Sequence, residues 1–237
     1  MHLFYRGGRT LLRIIDTTPS ENYRNFSNRR QFMLKHIAIA LCALLGLLVI
    51  PTVVGRAADY KPDDEGFIRN WLMLAPIKLE GSGADEIDKQ QLKDEGKLQP
   101  KEGDKAKAGD AELTWKAIKA ADAFFDVNEI LGSQNDNSAG YFVAYINVPA
   151  EKKDVTLLMG SNDEGKAYLN GKEVVKFDGS RSFEKDTDKA EGLTLKKGIN
   201  TIVFKVINES NNWQGSIRFT TKDGGAIRDF KVQLAPQ

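Results

Sequence analysis

The sequence predicts an all-β protein, an antiparallel β-sandwich of jelly-roll type, preceded by an N-terminal signal helix. Two observations carry that expectation. Past Leu113 the chain is a succession of short runs rich in β-branched and aromatic residues, several of them alternating polar with apolar. Between the runs fall turn-forming groups: Val148-Pro149, Asn170-Gly171, Asp178-Gly179, Lys197-Gly198 and Asp223-Gly224-Gly225. Turns so placed suit consecutive antiparallel strands, not strands alternating with helices.

At the front, residues 37–50 (IAIALCALLGLLVI) form an uninterrupted apolar run closed by Pro51. Arg29, Arg30 and Lys35 precede it, and Gly55 and Ala57 put small residues where a signal peptidase reads. Residues 1–57 are therefore expected to be an N-terminal extension and export signal. The alternative is an uncleaved membrane anchor. Pro51, Arg56 and a marginal length against the ~20 residues of a stable span weigh against it. Residues 28–35 (NRRQFMLK) resemble the twin-arginine export signature, whereas a start at Met33 in place of Met1 would leave an ordinary secretory signal. Either route delivers the mature chain to the periplasm, the cell surface or the exterior. Cys42 lies mid-run behind the large Leu41, which is no lipidation point.

Setting 57 of the 237 residues aside leaves about 180, enough for one substantial core, so residues 58–237 are expected to form a single domain. Lys+Arg 34 nearly balances Asp+Glu 33, and no basic stripe with interleaved aromatics occurs; nucleic acid is not an expected partner. Both histidines (His2, His36) and the only cysteine (Cys42) precede residue 57. The body thus lacks the imidazole and thiol that Ser-His-Asp triads, Cys-His pairs, histidine or thiolate metal sites and disulfides require. A non-catalytic binding module without cofactor or metal is the expectation.

Taken in order, residues 59–65 are a polar leader. Residues 67–76 (FIRNWLMLAP) give a first strand, ended by Pro76, which cannot donate to a ladder. Residues 81–109 are rich in Lys, Asp, Glu, Gly and Gln and form a polar surface excursion, with one short helix over 84–95 anchored by Ile87 and Leu92. Strands follow at 113–118 (LTWKAI), 141–148 (YFVAYINV) and 155–159 (VTLLM). Residues 167–169 and 173–175 flank Asn170-Gly171, the favoured pair for a type I′ hairpin. Residues 200–207 (NTIVFKVI) place Ile202, Phe204 and Val206 on one face, and 216–220 and 229–234 complete the set.

Residues 159–174 (MGSNDEGKAYLNGKEV), followed by 195–206 (LKKGINTIVFKV), resemble the galactose-binding-like jelly-roll modules attached to exported bacterial glycosidases and sugar esterases. They are also similar to the sugar-binding sandwich at the front of family 2 glycosidases. Residues 67–76 resemble the opening strand of exported members, with Ala75 where glycine is usual. The resemblance implies a carbohydrate-binding module acting on a polysaccharide or glycan, with an associated enzyme or envelope protein as a candidate second partner and the membrane touched only through an uncleaved front segment.

Sugar recognition needs flat aromatic faces and planar hydrogen-bonding groups. Trp213, set between Asn208-Glu-Ser-Asn-Asn212 and Gln214-Gly215, is the first platform candidate, with Trp115 and Tyr168 behind it; Trp71 reads as core. Asn162, Asp163 and Arg181 lie in turns flanking the hairpin and are the candidate hydroxyl-binding groups, although Asp163 has the alternative role of bracing its own turn. Gly160–Lys166 imitates a phosphate-binding loop, but Ala167 replaces the required Ser or Thr and a strand follows where a helix must begin. Two rivals to the carbohydrate module stand. One is an envelope structural or adaptor protein that grips another protein. The other is a small glycoside hydrolase using carboxylates alone, drawn from Glu184, Asp186 and Asp188.

Overall fold

The computed structural model describes residues 58–81 and 83–236; the expected export signal, with Cys42 and both histidines, lies outside the described residues. The strands are β1 Asn70–Lys78, β2 Lys105–Ala108, β3 Ala111–Thr114, β4 Lys116–Lys119, β5 Phe125–Asp126, β6 Ser138–Val148, β7 Lys152–Asn162, β8 Gly165–Leu169, β9 Lys172–Phe177, β10 Asp188–Leu195, β11 Gly198–Asn208, β12 Gln214–Thr220 and β13 Lys231–Gln233. Two short helices, α1 Gly83–Glu86 and α2 Val127–Leu131, and a 3-10 turn at Glu95–Lys97 complete it.

These strands build an antiparallel β-sandwich. The larger sheet runs β4-β1-β6-β11-β8-β9, with β13 also on β6; the smaller runs β10-β7-β12-β5; β2 and β3 pair apart from both. From β6 onward the chain passes repeatedly between the two sheets, except at the β8–β9 hairpin, which stays within the larger one. Asn170 and Gly171 both take positive φ (52° and 84°), as a type I′ turn requires, and join β8 to β9 with Leu169 opposite Lys172.

Three expected boundaries move. β1 continues past Pro76 to Lys78, because the proline falls in a register shift between Leu74 and Ile77 where no ladder donor is needed. The run 113–118 is two strands broken at the buried Trp115: β3 pairs β2, while β4 pairs β1. The helix over 84–95 is one turn at its start and a 3-10 turn at its end. The strand β10 and the helix α2, capped by the Asp126 carboxylate on Glu129 N and closed by Gly132 at φ 67°, carry no comparable apolar pattern.

Between the sheets lie Trp71, Phe125, Phe142, Phe204, Trp213 and Phe219, all essentially inaccessible. Phe125 stacks on Phe142 with centroids 4.0 Å apart, and Trp71 meets Phe125 edge-on. Fully burying side chains of this size contributes on the order of 1.5–3 kcal/mol each. As expected, Ile202, Phe204 and Val206 share this inner face.

The outer face of the larger sheet is buried too. Leu72, Tyr141, Val143, Val203 and Ile207 pack there against Ile87, Leu92 and Trp115. The polar segment after Lys78 is therefore a third layer. An ion at its centre fixes it: Lys205, fully buried, donates to the carbonyls of Glu86 (2.9 Å), Ile87 (3.1 Å) and Lys89 (2.7 Å) and lies 3.6 Å from the Glu95 carboxylate. Tyr141 and Tyr168 both donate their hydroxyls to Glu95. The buried Lys205 and Glu95 thereby each have partners of opposite polarity, which is the condition for burying them at all.

Candidate functional site

Trp213 is not a stacking platform. It is completely buried, its indole N–H donates to Val206 O at 3.3 Å, and its ring fills the space left by Gly140, where an added Cβ would approach it to 3.0 Å. Its polar sequence neighbours occupy the loop, but β12 begins at Gln214 and carries the ring inward. Trp115 is likewise enclosed, at 3% exposure, beneath the outer layer. Neither offers a face to a sugar. Tyr168 is half-buried and committed to Glu95. Trp71 is core.

Asn162, Asp163 and Arg181 do come together, at the end of the sandwich where the β7–β8, β9–β10 and β11–β12 connections meet. The hydrogen bonds of Asp163 and Arg181 point inward. Asp163 Oδ1 accepts from Ser180 Oγ (2.8 Å) and Arg181 N (3.2 Å), and its Oδ2 accepts from Glu209 N (2.9 Å). The Arg181 guanidinium donates to Ser161 O (3.0 Å) and Ser161 Oγ (2.8 Å), pairs with Asp188, and lies 3.7 Å above the Phe177 ring centroid. Asn162 and Asp163 are both buried. This is a clamp that ties three loops together; the bracing role of Asp163 is the one realised.

The three acids of the glycosidase alternative are dispersed among cations. Asp186 takes both Nε and a terminal nitrogen of Arg218, Asp188 takes Arg181, and Glu184 is exposed. Among the described residues no group of three metal-ligating side chains is placed to hold an ion.

Beside the clamp, Glu164 is fully buried with neither carboxylate oxygen hydrogen-bonded. Loss of water raises its pKa to about 7, and the negative charges of Glu209, Asp163 and Asp178 push the same way.

A concave surface lies elsewhere, on the outer side of the larger sheet. It is a half-open groove of about 470 Å³ between the 3-10 turn and the β8–β9 and β10–β11 turns. Leu98 and Ile199 form an apolar floor; Lys97, Gln99, Asn170 and Thr201 supply the polar rim. Two asparagines build one wall: Asn170 Oδ1 accepts from Thr201 N (2.9 Å) and its Nδ2 donates to Asn200 Oδ1 (2.9 Å). Asn200 in turn brackets the next turn through Lys196 N (2.9 Å) and Lys196 O (2.7 Å). The opposite wall is held by Tyr145, whose hydroxyl donates to Pro100 O at 2.7 Å. None of these groove residues was marked by the sequence beyond the Asn-Gly turn. The groove joins segments about a hundred residues apart, and Lys97 and Gln99 sit in a stretch whose composition reads as solvated loop.

No protein-family model matches the chain, and no curated protein matches it. Among solved structures it is similar to the PA14 sugar-binding domain of an RTX adhesin, at 14% identity and a TM-score of 0.31, over 42% of this chain and 58% of that one. It is also similar to the PA14 domain of the MpAFP antifreeze protein (13%, TM-score 0.36, 75% of this chain and 92% of that). A third is Ruminococcus gnavus β-glucuronidase (14%, TM-score 0.35, 69% of this chain, 31% of that). The chain thus spans 58% of the adhesin domain and under a third of the glucuronidase. Likeness at this level carries no argument about function.

Proposed function

We propose that the protein is an exported, non-catalytic carbohydrate-binding module whose ligand lies in the groove over Leu98 and Ile199. The groove's size and lining support this most. About 470 Å³ accommodates one or two sugar rings, and pockets for small ligands combine such a volume with an apolar base and a few placed polar groups. The C–H face of a ring would rest on Leu98 and Ile199, with hydroxyls at Gln99 and Thr201. The clamp of Asp163 and Arg181 lies at the other end of β8 from the groove, and its residues do not line it. Pairing of Asp186 and Asp188 with arginines favours a binding role over hydrolysis, which needs two acids facing each other across a sugar at ~5–9.5 Å.

The adaptor alternative draws no support from the surface: among the described residues Ile130 is the one large hydrophobic side chain that is exposed. The test is retention of the full chain, purified in mild detergent, on a broad glycan panel. Binding is expected, and Gln99→Ala with Thr201→Ala should weaken it by roughly tenfold or more. Absence of retention on every glycan would remove the proposal, as would glycoside turnover by the purified chain.

A further inference from the structure

Building on that carbohydrate reading, we propose that the groove selects an anionic saccharide, one that sets an acid group against Lys97. Among the described residues lining the groove, Lys97 carries the only charge, and no carboxylate shares the lining. Its stem is seated: Lys97 Cγ lies 3.2 Å and Cε 3.8 Å from where a Cβ on Gly171 would stand. Gly171 is required at φ 84° by the hairpin turn, and its missing side chain leaves the channel along which the lysine runs. A stem packed this way has fewer rotamers to lose on binding than that of a free surface lysine.

The surrounding charge agrees. The turns forming the wall carry the exposed lysines Lys172, Lys196 and Lys197. The nearest acids on the same elements are engaged elsewhere: Glu95 is buried with Lys205 and two tyrosines, and Glu173 faces Lys166. Exposed Asp94 is the remaining acid on the 3-10 segment. A neutral sugar would leave a positive rim unmatched. An acidic one gains a charge-assisted hydrogen bond and a field that draws it in.

The experiment titrates the full chain with an oligogalacturonate, its neutral methyl ester and a sulfated galactan at two salt concentrations. The acid forms should bind about fivefold or more tighter than the ester, the gap narrowing at high salt. Lys97→Met, at an exposed position, should erase the gap between acid and ester. Preference for the uronate over the sulfated chain, or the reverse, names the acid group. Equal binding of acid and ester, or a gap that survives Lys97→Met, overturns the charge inference alone. Failure of all three saccharides and of the wider panel overturns the carbohydrate reading beneath it.

Discussion

Glu164 follows Asp163 in the turn between β7 and β8, and the chain turns it inward, so that its carboxyl loses water without gaining a hydrogen bond. Its pKa rises from 4.5 to about 7, which means the fold prefers the protonated acid. The associated stability is fully present below pH about 4.5 and is lost as pH climbs through about 7. Glu164→Gln keeps the shape and removes the titration. The variant should be more stable than the parent at pH 8, by up to about 3 kcal/mol, with the difference vanishing near pH 4.5. Thermal melts across pH 4–9 measure this; a parent protein as stable at pH 8 as its variant would contradict it. Trp213 teaches the same lesson about single residues. Five polar neighbours before it describe the loop accurately and mislead about the ring, because burial is a property of where a side chain points.

At the scale of elements, β11 shows how far alternation can be followed. The period of two correctly puts Ile202, Phe204 and Val206 on one face, and it puts Thr201, Val203, Lys205 and Ile207 on the other. A lysine on that second face ordinarily signals solvent. Here the segment from Gly83 to Pro100 closes over it, and burial lowers the Lys205 pKa to about 8 against the opposing pull of Glu95. Lys205→Met would leave three carbonyls and the Glu95 carboxylate without their cation. Removing one partner of a buried pair typically costs 3–5 kcal/mol. Denaturant titration should find a loss in this range, and hydrogen exchange should show residues 83–100 opening first. Unchanged protection there would mean that the layer is held by Ile87 and Leu92 alone.

At the scale of the described unit, the larger sheet serves two cores at once. Phe142 and Phe204 face the sandwich interior while Tyr141 and Val203, their neighbours in the same strands, face the outer layer. Losing the outer layer would expose an apolar sheet face, so the two cores are expected to unfold together. A variant retaining Trp115 as its only tryptophan (Trp71→Phe, Trp213→Phe) should lose fluorescence and far-UV circular dichroism at the same temperature. A Trp115 transition well below the strand transition would separate the layers. The groove depends on this arrangement as well, since its floor joins Leu98 of the outer layer to Ile199 of the sheet.

The amino-acid order alone settled the class of fold, most strands and the Asn170-Gly171 turn. Those follow from alternation, β-branching and the positive φ that few residues adopt, all of which act within a handful of neighbours. Which faces are covered, where Trp213 and Trp115 point, and which side chains border the groove were decided only by tertiary packing. Those outcomes depend on segments distant in the chain meeting, and a local pattern records that a face is apolar or charged without recording what lies against it.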